Sequence, residues 1–223
     1  MRRMQVEFGA TVAITYVMGG LAREITDPVG AARTWLEAGE RSGMPVDPRL
    51  WLDGPPASTY PACLAVEAAS EQGDPAPYLR RLREGFALRG RKLDTTEALV
   101  EEARATPGLN VERFRIDLAS NAIVELFGSD LERLRAKALE VGDVVLEGFV
   151  PYDVLREAAL RAGAEPDGAA PPPVEDALRR FGTMAAAEVA AVCSLPGPRA
   201  PAELWALAAE WRAREDHGLF APA

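Results

Sequence analysis

A chain of 223 residues, 48% hydrophobic and 26% charged, can bury a substantial core, either as one domain carrying an insertion or as two small domains. Its net charge of -9 argues against non-specific binding to nucleic acid or anionic membrane, which both select for an excess of Lys and Arg. No apolar run approaches the ~20 residues needed to span a bilayer, and the N-terminus lacks the basic-then-apolar order of a signal peptide, so a cytoplasmic location is expected.

Met1, Met4 and Phe8 recur at helical spacing, and Gly9 follows where a C-terminal cap sits, which predicts a helix over 1–8. That helix has a proper end and no N-cap; so short a stretch must dock on the core or continue a longer helix. Residues 11–18, TVAITYVM, are rich in β-branched and aromatic side chains and read as a strand buried on both faces, ended by Gly19-Gly20. From 21 to 57 the periodicity is broken by Pro28, Pro45, Pro48, Pro55 and Pro56; a short helix is predicted over 29–38, with Trp35 and Trp51 as anchors of a long connection.

Helical patterns then take over. A helix over 60–72 begins after Ser58 or Thr59 and ends at Gly73. The next, 77–89, aligns Leu79, Leu82 and Phe86 on one stripe. Asp94 and Glu97 form a capping-box-like start for Leu99, Val100 and Ala103. Asn110 caps a helix carrying Val111, Phe114 and Leu118; Ser120 begins another to Phe127, and Ser129 with Glu132 resembles a further capping box.

Residues 137–150, KALEVGDVVLEGFV, form the clearest strand pair. Gly142-Asp143 suits a type II′ turn, which places Val141 opposite Val144 and Leu139 opposite Leu146 on one aliphatic face. Ala138, Glu140, Val145, Glu147 and Phe149 make a mixed second face. A hairpin alone is marginal, so further strands and a helix are expected to cover it. Pro151 opens a helix to about residue 162. EPDGAAPPP at 165–173 has linker composition, and 175–181, 183–193 and 201–213 read as three short helices.

Neither Cys63 nor Cys193 belongs to a C-x-x-C or a Cys/His cluster, so structural zinc and a local redox pair have no basis; two buried free thiols are the plain reading. No metal and no cofactor is expected. The single histidine, His217, lies in the C-terminal tail, and Glu101-Glu102 sits on a charged helix face, so hydrolase chemistry finds no support.

The strand VAITYVMGGLAR, the segment STYPACLAVEAASEQG, the run YLRRLREGFALRGRKLDTTEALVEEA and the helix LNVERFRIDLAS resemble the DsbA family of thiol-disulfide oxidoreductases, especially its cytoplasmic FrnE-like branch, over about residues 1–164. The resemblance implies an α/β fold: a thioredoxin-like sheet with its first strand missing, an inserted all-helical subdomain and a small helical C-terminal extension. The implied domains are thioredoxin-like over 1–58 and 137–164, helical insertion over 59–136, Pro-rich linker over 165–174 and extension over 175–223.

In the family a C-x-x-C sits at the N-terminus of the first helix, where the dipole lowers the thiol pKa, beside a cis-proline that precedes the hairpin. The resemblance implies that this chain starts inside that helix and has Lys137 near the cis-proline position, a residue whose ordinary reading is a solvated helix-end lysine. The resemblance therefore implies a groove without dithiol chemistry as written, with Ser58, Thr59, Tyr60, Cys63 and Lys137 as candidates to line it; capping and core packing are their ordinary readings.

Three functions compete. The first is binding of a peptide, a low-molecular-weight thiol or a partner protein, with self-association through open strand edges expected if an interior strand is missing. The second is active thiol-disulfide exchange, should the true start lie upstream and restore a C-x-x-C. The third is a helix-turn-helix-like DNA-binding or interaction module in the C-terminal extension; five Arg against seven Asp and Glu between Glu175 and His217 disfavour nucleic acid there.

Overall fold

The computed structural model describes residues 1–134 and 138–223, with Ala138 described by its backbone alone. In chain order the elements are α1 (Arg2–Glu7), a 3-10 turn (Gly9–Thr11), α2 (Pro28–Ser42), α3 (Arg49–Asp53), α4 (Tyr60–Ser70), α5 (Ala76–Ala87), α6 (Thr96–Arg104), α7 (Val111–Leu118) and α8 (Asn121–Arg133). There follow β1 (Ala138–Val141), β2 (Val144–Glu147), α9 (Tyr152–Arg161), α10 (Val174–Phe181), β3 (Met184–Ala185), α11 (Ala186–Val192), α12 (Arg199–Ala209), β4 (Ala213–Asp216) and β5 (Leu219–Pro222). The fold is mixed α/β, dominated by helices with small sheets. Two compact units divide it: Thr15–Glu37 with Val46–Lys137, and Met1–Ile14 with Ala38–Pro45 and Ala138–Ala223.

The first unit is helical. Its core is closed by Trp51, Tyr78, Leu93, Leu99, Phe114 and Ile123, all nearly inaccessible. Trp51 stacks on Trp35 at 5.8 Å and meets Phe86 at 6.0 Å, so the aromatic pair anchors the connection as its size and placement predict. The buried Tyr78 hydroxyl donates to the Leu99 carbonyl at 2.9 Å, tying α5 to α6. Asn110 and Ser120 cap α7 and α8 by accepting from the Arg113 and Ile123 amides.

Two expected caps differ. At α6 the side-chain acceptor is Thr95, which takes the Ala98 amide, while the Asp94 carboxylate reaches back to the Ala57 amide at 2.7 Å. The second capping box does not form: α8 runs unbroken from Asn121 to Arg133, and Ser129 donates to the Glu125 carbonyl one turn back. A serine bonded in this way satisfies itself inside a helix, so it starts nothing.

In the second unit the hairpin has the expected register, with Leu139 opposite Leu146 and Val141 opposite Val144. Gly142 has φ +57 and Asp143 no positive φ, the type II′ pattern. Leu139, Val141 and Leu146 pack with Met4 and Phe8 of α1 and Leu155 and Ala159 of α9, while Val145 and Phe149 stay exposed. Among the described residues, β1 and β2 pair with no further strand.

The strand expected over 11–18 is absent. Thr11 closes the 3-10 turn after α1, and 12–20 carries no ladder although Val12 is extended. Its β-branched composition favours extended backbone, but a strand also requires a hydrogen-bonded neighbour. Helix α2 extends to Ser42, four residues past the predicted end at 38.

The C-terminal part holds helices as predicted and a three-stranded sheet besides. The last helix stops at Ala209, and 213–222 turns back on itself as β4 and β5 through His217 and Gly218, giving the sheet order β3-β5-β4. His217 therefore lies in a hairpin turn, its Nδ1 2.8 Å from Asp216. Helix, strand, helix, helix, strand, strand follow in that order here, with a short loop at 193–198 joining α11 to α12. Val174, Leu178, Met184, Val189, Leu204 and Phe220 fill the core of this part.

Candidate functional site

In the helical unit, the start of α4 meets the loop at 18–22. The Thr59 amide donates to the Ala22 carbonyl at 3.0 Å, and the Thr59 hydroxyl accepts from the Ala22 amide at 2.9 Å. The Ser58 hydroxyl donates to the same carbonyl at 3.2 Å and accepts from the Tyr60 amide at 3.1 Å. Ile25 adds a backbone rung to Ala57. Ser58 thus takes the first amide of the helix, while Thr59 at the N-cap position makes no side-chain cap bond and joins Ser58 in fastening the loop.

The middle of the loop requires glycine. Gly20 has φ +55, and a Cβ there would fall 2.6 Å from Cε1 of Tyr60 and 3.2 Å from Phe127. Tyr60 meets the Phe127 ring edge-on at 5.0 Å. At the loop's other end, Asp130 of α8 accepts from the Met18 amide. Held at Met18, Gly20 and Ala22, the loop turns Leu21 outward, 64% exposed.

Beneath the loop lie Cys63, Glu67 and Asp130. Burial pushes the half-buried Cys63 thiol up to about 11, the negative charges of Glu67 and Asp130 push the same way, and a hydrogen bond from the Gly20 backbone opposes them in part. Burial, then the charge of Asp130 and a hydrogen bond shared with it, and finally Glu71, raise Glu67 to about 7. Glu67 Oε1 is buried with no hydrogen-bond partner among the described residues. A thiol in such surroundings stays protonated and is a poor nucleophile.

Of the residues singled out in the sequence, Ser58, Thr59, Tyr60 and Cys63 come together here; Lys137 lies outside the described residues. Sequence reasoning missed Gly20, Glu67 and Asp130. The one available signal for Glu67 was a lone carboxylate inside the apolar run ACLAVEAAS. Cys193, in the other unit, is a second free thiol, raised to about 11 by burial and then by Glu203. Among the described residues no group of three His, Cys, Asp or Glu is placed to hold a metal, and no helix is long and apolar enough to cross a membrane.

The mixed α/β architecture, with a helical block between α1 and the β1–β2 hairpin and further elements after α9, is that of a thioredoxin-like protein with a helical insertion and a C-terminal extension. The family model described as Thioredoxin matches residues 1–144, and the chain belongs to that family. It is also similar to three bacterial proteins named ClpXP adapter protein SpxH. With that of Halalkalibacterium halodurans it shares 26% identity over 87% of this chain and 72% of the relative. With that of Bacillus subtilis it shares 28% over 85% and 70%, and with that of Shouchella clausii 27% over 92% and 74%.

Proposed function

We propose that this chain acts by binding a partner protein, as an adapter, and that the surface formed by the 18–22 loop and the start of α4 takes part. The observation that carries the reading is the state of Cys63: the thiol at this site is shielded, protonated and surrounded by carboxylates. Such a group packs and donates; it does not exchange disulfides. The motifs quoted above favour the DsbA-like branch of the thioredoxin family, FrnE-like members included, as the origin of the scaffold, and the relatives named ClpXP adapters favour a cytoplasmic protease as the destination of the bound protein. Leu21 supplies an exposed apolar contact on that surface. The outer edges of β1 and β2, unpaired among the described residues, offer a place where a partner's strand or a second copy adds.

The test is quantitative proteomics of protein half-lives in an extract containing ClpXP, with and without the purified chain. A small set of proteins should be degraded faster in its presence; Leu21→Asp should abolish this and Cys63→Ser should retain it. Loss of the effect in Cys63→Ser, with the variant still folded, would transfer the function to the thiol.

A further inference from the structure

The C-terminal helices and sheet, whose element order resembles a winged helix-turn-helix, expose a face that the partner-binding reading leaves unused. In a DNA-reading module of this topology, the second helix of the pair presents cations and polar groups to the major groove. Here α12 presents Ala202, Trp205, Ala206 and Ala209, all exposed, while Ala200, Leu204 and Leu207 point into the core. The helix is apolar on two sides. Trp205 rests edge-on against Phe220 at 5.2 Å yet remains 56% exposed, and Trp211, just past the helix end, is 88% exposed with φ +59.

Three arginines around this face pair with the module's own acids. Arg199 pairs with Glu203 at 2.7 Å, Arg212 with Glu210 at 2.8 Å and also with Glu175, and Arg179 with Glu175 and Asp176. With five Arg against seven Asp and Glu between Glu175 and His217, and alanines where cations would be needed, the face does not suit nucleic acid.

Its charges also run against the helix dipole. Arg199 is the first residue of α12, where an anion is favoured, and Glu210 caps its C-terminus, where a cation is favoured. No acid occupies the first turn and no base the last. Laying a second α12 antiparallel on the first reverses the mismatch: Arg199 of each copy then meets Glu210 of the other. The three alanines let the backbones approach, and Trp205 fills the space beside them. Exposed pairs such as Arg199–Glu203 contribute little and exchange partners readily.

We propose that the outward face of α12 docks on the same face of a second copy of this chain in an antiparallel, two-fold arrangement anchored by Trp205. The interface is isologous, so each substitution acts twice.

Sedimentation velocity of the full chain over a range of concentrations tests this. A reversible monomer–dimer equilibrium is expected. Ala206→Arg, at an exposed position with no core contact to lose, raises the dissociation constant by about 10-fold or more, without changing the thermal melt. Arg199→Glu and Glu210→Arg each weaken the dimer, whereas the double variant restores it. A monomer up to several hundred micromolar, a dimer indifferent to Ala206→Arg, or a salt-sensitive complex with a mixed-sequence DNA duplex would each overturn the proposal.

Discussion

Glu67 in the helical unit and Glu7 in the other unit are both glutamates withdrawn from water, and their surroundings drive them in opposite directions. Burial pushes Glu7 up as well, but the Tyr152 hydroxyl and the Arg156 guanidinium both donate to its carboxylate, and Arg156 and Arg3 add positive charge, so its net shift is downward. Tyr152 in turn is pushed up to about 12, by burial and then by Glu7. Among the described residues Glu67 has no cation in that role; its neighbour is another carboxyl, Asp130, and it rises to about 7. Desolvation is common to both sites, and the partner decides the sign.

The difference has a structural counterpart. Glu7 joins α1 to α9 by an ion pair with Arg156, and Arg3 of α1 lies over the Tyr152 ring of α9 at 3.9 Å. Protonated Glu67 adds a hydrogen bond to Asp130 where α4 packs on α8, and Asp130 also holds Met18 at the root of the 18–22 loop. The two joints therefore respond to pH in opposite directions.

The largest effect is expected where the loop has no room. Gly20→Val forces a β-branched residue into φ +55 and against Tyr60, and should destabilise the helical unit by about 2–4 kcal/mol, read as a lower denaturation midpoint. Next comes Glu67→Gln. A folded-state pKa raised above the unfolded value gives stability that is fully present below about 4.5 and lost as pH rises through about 7. The amide cannot ionise, so the variant should gain on the order of 1–3 kcal/mol over the parent at pH 8 and much less at pH 5.

Glu7 has the opposite sign: its lowered pKa gives stability present above its ordinary value and lost as pH falls through the lowered one. Tyr152→Phe removes one donor and should cost about 1 kcal/mol at neutral pH, fading in acid. Urea denaturation of the three variants at pH 3, 5 and 8 compares them directly. Equal pH slopes for Glu67→Gln and Tyr152→Phe would break the contrast. Smallest is Ser58→Ala, about 0.5–1 kcal/mol, since Thr59 keeps its own bonds to Ala22.

Much of this was legible in local sequence. Period-two alternation around Gly142-Asp143 defined the hairpin register, and Asn110 and Ser120 marked helix starts because their side chains can act only on amides a turn away. What depends on distant neighbours was not legible. Residues 11–18 have strand composition and no ladder, and Ser129 has a cap's chemistry inside a continuous helix. The β4–β5 pair, ARED and LFAP, is too short to show alternation. At the candidate site, Ser58 and Thr59 could be anticipated as residues before a helix. Glu67 facing Asp130 could not, because that contact exists only once α4 packs on α8.

The central claim is that the thiol beneath the loop is protonated and structural. Its most direct test is the pH dependence of Cys63 alkylation in a Cys193→Ser background. The rate should climb without a plateau through pH 9, reporting an apparent pKa near 11. A thiolate that titrates below pH 7 would contradict it and return the site to redox chemistry.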